Sequence, residues 1–127
     1  MKYLLDTHIV LWVAENSYFL SEKAKTAILD ENNEKYVSIV SVWEVAIKLR
    51  TNKLHLDGGL QEFYRMIDDN GFLTLSIERE YLLLLEQLQF YHKDPFDRLL
   101  ITTTLSENMT LISADENIHK YKIPCLW

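Results

Sequence analysis

Four carboxylates along this chain have the type and spacing to hold a hard cation: Asp6, Glu44, Asp97 and Asp115. Around the third, His92-Lys93-Asp94-Pro95-Phe96-Asp97-Arg98 sets two acids three residues apart about a proline. Asp94 reads as a helix N-cap, Pro95 as the first helical residue and Asp97 as a first-turn acid, so both carboxylates crowd the positive end of a helix dipole. Each acid also has an ordinary reading. Asp6 and Asp115 can close turns or cap helices, and Glu44 completes a capping box with Ser41. An Asp-Pro-x-Asp start is good capping by itself. The chemistry arises if the four gather. Two carboxylates about 5 Å apart repel by roughly 3 kcal/mol at an effective dielectric of about 20. A cluster therefore needs raised pKa values or a compensating cation. All-oxygen ligands select Mg²⁺ or Mn²⁺.

The elements that must bring them together follow from the apolar pattern. Strands are expected over residues 3–5, 36–40, 72–75, 110–113 and 123–126, where short apolar or β-branched runs are bounded by polar turns. Helices are expected over 8–15, 21–29 with Ser21 as cap, 41–53, 60–71, 78–88 and 94–108, with a short one carrying Ile118 and Tyr121. Strand–helix alternation implies an α/β fold with a mainly parallel central sheet and helices on both faces. Sites in such sheets lie outside the carboxyl ends of the strands. Asp6 and Asp115 follow strands directly. Glu44 stands one turn into the helix after the second strand, and Asp97 one turn into the helix before the fourth. All four can meet at one sheet edge.

Length and composition bound the function. At 127 residues with 48% hydrophobic content, one domain with a real core is expected over 1–127. A net charge of −6 is the wrong sign for holding nucleic acid by bulk charge, so such a function needs a local basic rim or a metal ion. Cys125 is the only cysteine, so no intramolecular disulfide forms and a reducing cytoplasm suits the chain. No secretory leader is expected, because Asp6 and His8 interrupt the first apolar stretch. No apolar run approaches the roughly 20 residues that span a bilayer, so no membrane partner is expected. Gly58, Gly59 and Gly71 are the only glycines and build neither a P-loop nor a dinucleotide fingerprint. His8, His55, His92 and His119 have no zinc spacing, and no serine lies in a nucleophile elbow. His8 reads as structural.

The motifs Leu4-Leu5-Asp6-Thr7-His8, Ser41-Val42-Trp43-Glu44-Val45-Ala46-Ile47-Lys48, His92 to Leu100 and Leu111-Ile112-Ser113-Ala114-Asp115 resemble, in order and spacing, those of PIN-domain proteins. They are most similar to the VapC-type toxins of prokaryotic toxin–antitoxin pairs. The likeness covers essentially the whole chain. It departs at Thr102-Thr103-Thr104, where smaller residues are usual, a difference that touches helix packing and leaves the acids intact.

The resemblance implies a PIN-like three-layer α/β/α fold and a metal-dependent endoribonuclease. Asp6, Glu44, Asp97 and Asp115 match its acidic quartet as metal ligands and catalytic residues, with Mg²⁺ or Mn²⁺ as cofactor. Ser113 matches a hydroxyl position that holds a metal-bound water, and Asp94 a shaper of the helix start. It further implies cleavage by an activated water, leaving 5′-phosphate and 3′-hydroxyl ends, a separate antitoxin protein that blocks the site, and a homodimer. Lys48, Arg98 and Lys93 are candidates to hold the RNA backbone, or else are surface charges or partners of the quartet acids. A nuclease acting on DNA, a non-catalytic PIN binding module and a phosphoryl-transfer enzyme with Asp6 as nucleophile stay open. The last wants a second acid where the chain has His8.

Overall fold

The computed structural model describes residues 1–127. Five strands, β1 (Lys2–Leu5), β2 (Glu34–Ser38), β3 (Leu73–Leu75), β4 (Thr110–Ile112) and β5 (Cys125–Leu126), form one sheet in the order β3-β2-β1-β4-β5. Every pairing is parallel, with Leu4 opposite Tyr36 on one side and Leu111 on the other. The connections run through α1 (Thr7–Ala14), α2 (Glu22–Leu29), α3 (Ile39–Arg50), α4 (Gly59–Asp69), α5 (Arg79–Gln87), α6 (Pro95–Ser106) and α7 (Glu116–His119). No helix is long and apolar enough to cross a membrane.

The expected three-layer arrangement is present, and the period of the central strand explains it. Successive β1 side chains point to opposite faces. Tyr3 and Leu5 pack with α1, α2, α3 and α4 through Ile9, Val10, Ala27, Val42, Phe63 and Ile67. Leu4 packs on the other face with Leu100, Ile101, Leu111, Ile118 and Tyr121. A strand buried on both sides reads as the continuous apolar run Tyr3-Leu4-Leu5. The winding reverses at β1: β2 and β3 go to one side, β4 and β5 to the other. That reversal opens a crevice beyond the carboxyl ends of β1 and β4.

The start of α3 differs from the expectation. β2 stops at Ser38, whose hydroxyl accepts from Val40 N at 3.0 Å and caps the helix three residues early. Ile39 and Val40 are therefore helical despite their β-branched character, because Val40 and Val42 are buried there. Ser41 is inside the helix, fully buried, with its Oγ unpartnered; the capping box with Glu44 does not form. The helix ends at Arg50 and not at 53. Tyr121 lies just beyond α7, buried all the same. In α6, the three threonines are buried and turn their hydroxyls back onto Leu99 O and Leu100 O.

Candidate active site

The crevice between β1 and β4 is where the acids stand. Asp6 follows β1, and its N–H donates to Ile112 O at 3.0 Å, continuing the ladder by one step. It also caps α1, Oδ1 accepting from Thr7 N at 2.7 Å. Oδ2 accepts from Ser113 Oγ at 2.8 Å. Burial pushes its carboxyl above the ordinary range in spite of these two donors. Thr7 turns its own hydroxyl to Glu44 Oε1 at 2.7 Å, while Lys48 pairs with Glu44 Oε2 at 2.9 Å, one helical turn away on α3.

Asp94 caps α6 as expected, accepting from Phe96 N at 2.9 Å and Asp97 N at 3.1 Å. This turn directs Asp97 into the crevice, where it is 7% exposed. Burial, then the charges of Asp6, Asp94, Asp115 and Glu44, push its carboxyl up to about 8. Asp115 caps α7 through Asn117 N at 2.8 Å, and its own N–H donates to Ser113 Oγ at 3.0 Å. An open cavity of about 250 Å³ lies against Asp6 and Asp115 and is walled by His8, Ile9, Trp12 and Ala114.

The donor set suits a hard divalent cation: carboxylate oxygens, with more negative charge than Lys48 balances. Convergence is not in place, since no three of the His, Cys, Asp and Glu side chains form a finished ligand set. Each carboxylate leans on a neighbour of its own: Asp6 on Ser113, Glu44 on Thr7 and Lys48, Asp97 on His92, Asp115 on the start of α7. Like charges with no cation between them are expected to sit this way.

Three expectations need correction. Arg98 is not at the surface to meet RNA. It is buried, with Nη1 donating to Gln89 O at 3.0 Å and Tyr121 Oη at 2.9 Å, Nη2 to Leu88 O at 3.2 Å, and its guanidinium 4.5 Å from the Phe90 ring centre. Its fork pins the 88–90 loop. Ser113 Oγ is fully buried between Asp6 and the Asp115 N–H, so it holds a carboxylate where a water was expected. His8, read as structural, is exposed at the wall of the cavity and only edges Trp12, 6.0 Å between ring centres. Lys93 is exposed beside His92, and Lys48 is partly exposed on Glu44.

Reading the sequence missed Thr7, His92 and Tyr121. His92 Nε2 lies 3.1 Å from Asp97 Oδ2 and His92 Nδ1 lies 2.9 Å from Tyr121 Oη. Thr7 and His92 sit inside the quoted motifs, and that adjacency to Asp6 and Asp94 was the one available signal.

The PIN domain family model matches residues 3–124. No curated protein matches the sequence. Among solved structures, the chain is similar to VapBC2 from Rickettsia felis bound to a DNA fragment from its promoter, with a TM-score of 0.75 and 16% identity over 100% of this chain and 99% of that one. It is similar to a toxin–antitoxin complex from Klebsiella pneumoniae, with a TM-score of 0.67 and 17% identity over 98% and 96% of the two chains. Mycobacterium tuberculosis VapC20, a Sarcin-Ricin loop cleaving toxin, aligns with a TM-score of 0.68 and 9% identity over 95% of each chain.

Proposed function

Because the chain belongs to the PIN domain family, we propose that it is a metal-dependent endoribonuclease and the toxin of a toxin–antitoxin pair. The observation that carries this reading is the strand-end crevice: Asp6 and Asp115 line one open cavity, and Asp97 is buried nearby, its carboxyl pushed up to about 8 by burial and by the charges of Asp6, Asp94, Asp115 and Glu44. Such a concentration of acid costs stability, a cost that a bound cation would offset, and perturbed carboxyls of this kind gather at functional sites. Asp6, Asp97 and Asp115, with Glu44, are the residues that would hold Mg²⁺ or Mn²⁺. Bound there, the ion supplies a water of lowered pKa and neutralises charge on the scissile phosphate.

The protein's own residues do the rest. Ser113 and Thr7 N–H fix both oxygens of Asp6, and Thr7 Oγ1 fixes Glu44. Asp94 sets the α6 turn from which Asp97 projects. Lys48 and Lys93 are the cations available to an RNA backbone, Lys48 by leaving Glu44 when the site fills. A carboxylate freed of its neighbour would accept the proton that the water gives up.

The partner is a cognate antitoxin, a reading supported by the toxin–antitoxin complexes among the similar structures. Exposed Trp43 (58%), Leu83 (66%) and Phe90 (65%) leave apolar area for an antitoxin and for a second copy of the chain. The decisive experiment incubates purified protein with labelled RNA and DNA of matched sequence, with Mg²⁺ or with chelator. Cleavage of RNA only, abolished by chelator and reduced to a small residue in Asp6→Asn and Asp97→Asn, is the expected result. Cleavage of DNA alone makes it a DNA nuclease, and binding without cleavage makes it a binding module; either overturns the proposal.

A further inference from the structure

Behind Asp97 runs a chain of buried hydrogen bonds that the quartet does not include. Arg98 Nη1 lies 2.9 Å from Tyr121 Oη, Tyr121 Oη 2.9 Å from His92 Nδ1, and His92 Nε2 3.1 Å from Asp97 Oδ2. The direction of every bond follows from one fact: arginine has only protons to give. Tyr121 Oη therefore accepts from Arg98. Its own proton has one acceptor within reach, His92 Nδ1. With that nitrogen accepting, the ring proton sits on Nε2 and is donated to Asp97. The opposite tautomer would leave the Tyr121 proton unpaired in a residue 4% exposed, at a cost of about 1–3 kcal/mol.

Packing holds the same arrangement. Tyr91 meets Tyr121 edge-on at 4.9 Å between ring centres, and Arg98 anchors the preceding residues through Leu88 O and Gln89 O. The His92 side chain is 10% exposed and is held at both ring nitrogens. Asp97 is left with Oδ2 engaged and Oδ1 without any hydrogen bond inside the protein. Only Ser41 Oγ is both buried and unpartnered, so Asp97 Oδ1 keeps some exposure to solvent.

We propose that His92 is a positioning residue that turns Asp97 so that Oδ1 faces a divalent cation, with Tyr121 and Arg98 holding His92 in the one tautomer able to do so. This rests on the metal-site reading above. It assigns the buried Arg98 a role in the site without any contact to RNA. Ligating carboxylates are oriented by such outer hydrogen bonds, whose loss lowers metal affinity about ten- to hundredfold.

The test is titration of Mn²⁺ by calorimetry into wild type, His92→Leu, His92→Gln and Tyr121→Phe, each checked for folding by circular dichroism. Tenfold or greater weakening is expected in His92→Leu. Recovery to within a few fold of wild type is expected in His92→Gln, whose amide N–H can stand where Nε2–H stood. Tyr121→Phe should fall between. A second readout needs neither metal nor activity: imidazole nitrogen shifts of metal-free wild type should show His92 as the Nε2–H tautomer, and Tyr121→Phe should lose that preference. If wild type binds Mn²⁺ and His92→Leu binds it equally well, the inference fails and the metal site stands. If wild type binds no Mn²⁺, both fail. If His92→Leu does not fold, the Tyr121→Phe affinity and the nitrogen shifts decide; an Nδ1–H tautomer in wild type would overturn the proposal.

Discussion

Ser113 Oγ donates to Asp6 Oδ2 at 2.8 Å, although 107 positions separate them in the chain. Asp6 is buried at the end of the central strand, and this donor and the Thr7 N–H are the two hydrogen bonds that offset its desolvation. Replacing Ser113 with Ala removes one of the two and also strands the Asp115 N–H. We expect a loss of about 1–3 kcal/mol of unfolding free energy, read from urea denaturation in chelator. An unchanged midpoint would mean that Asp6 does not depend on Ser113.

The metal-free protein should lose stability as pH rises. Asp97 in the folded chain titrates at about 8 against an ordinary 3.8, and Asp6 shifts the same way. The folded state thus keeps protons that the unfolded chain gives up, and the stabilisation is full below the ordinary value and gone above about 8. Urea midpoints in chelator should fall across that window and fall less in Asp97→Asn. A midpoint that rises or stays level there contradicts the assignment of Asp97.

Divalent metal should reverse that weakness. A cation bound to the folded chain only adds about 2.7 kcal/mol at a hundred times its dissociation constant, so millimolar Mg²⁺ or Mn²⁺ should raise the melting temperature of wild type. Above about pH 8, where Asp97 is charged in the folded chain, Asp97→Asn should melt above wild type in chelator, having one repelling charge fewer, and at any pH it should gain less from metal. Were the acids independent caps, losing Asp97 would lower the metal-free value through a weaker dipole interaction, and metal would change neither protein. Four thermal melts separate the cases.

Ser41→Ala should be neutral or stabilising by a few tenths of a kcal/mol. The serine hydroxyl is buried in α3 with no partner, and removing it relieves a desolvated dipole. A working capping box would instead cost about 1 kcal/mol on loss of its serine, so the sign of one equilibrium unfolding experiment separates the two accounts.

Arg98→Lys should speed hydrogen exchange of the amides from 88 to 92, because an ammonium cannot reach two carbonyls and Tyr121 in the fixed fork of a guanidinium. Should RNA affinity fall while that exchange is unaffected, Arg98 belongs to the RNA contact after all.

The sheet was legible because its evidence is local. Tyr3-Leu4-Leu5 is apolar on both faces and sits in the centre, and Asp94-Pro95 marks the start of α6 to the residue. The positions of Asp6 and Asp115 were legible for a related reason: a carboxylate just past a buried strand has one place to go. The start of α3 was not. Ser38 and Ser41 offer the same cap three residues apart, and the burial of Val40 chose between them. Arg98 was misread because a cation beside an acid gives no local sign that carbonyls from a loop nine and ten residues earlier will enclose it. Thr7, His92 and Tyr121 act through bonds to residues 37, 5 and 23 positions away, which no local pattern encodes.

The pairing of β1 with β4 also has a consequence for biosynthesis. Asp6 emerges from the ribosome early, but its partner Ser113 and neighbour Asp115 come only with the strand that completes the middle of the sheet. Until that strand docks, Leu4 and Leu5 lack one side of their ladder and the crevice has one wall. A nascent chain interrupted short of β4 therefore carries three of the four acids and an incomplete crevice. If the proposed nuclease activity holds, stalled or prematurely released translation products of this protein should lack it, and the site should come into being only as synthesis nears completion.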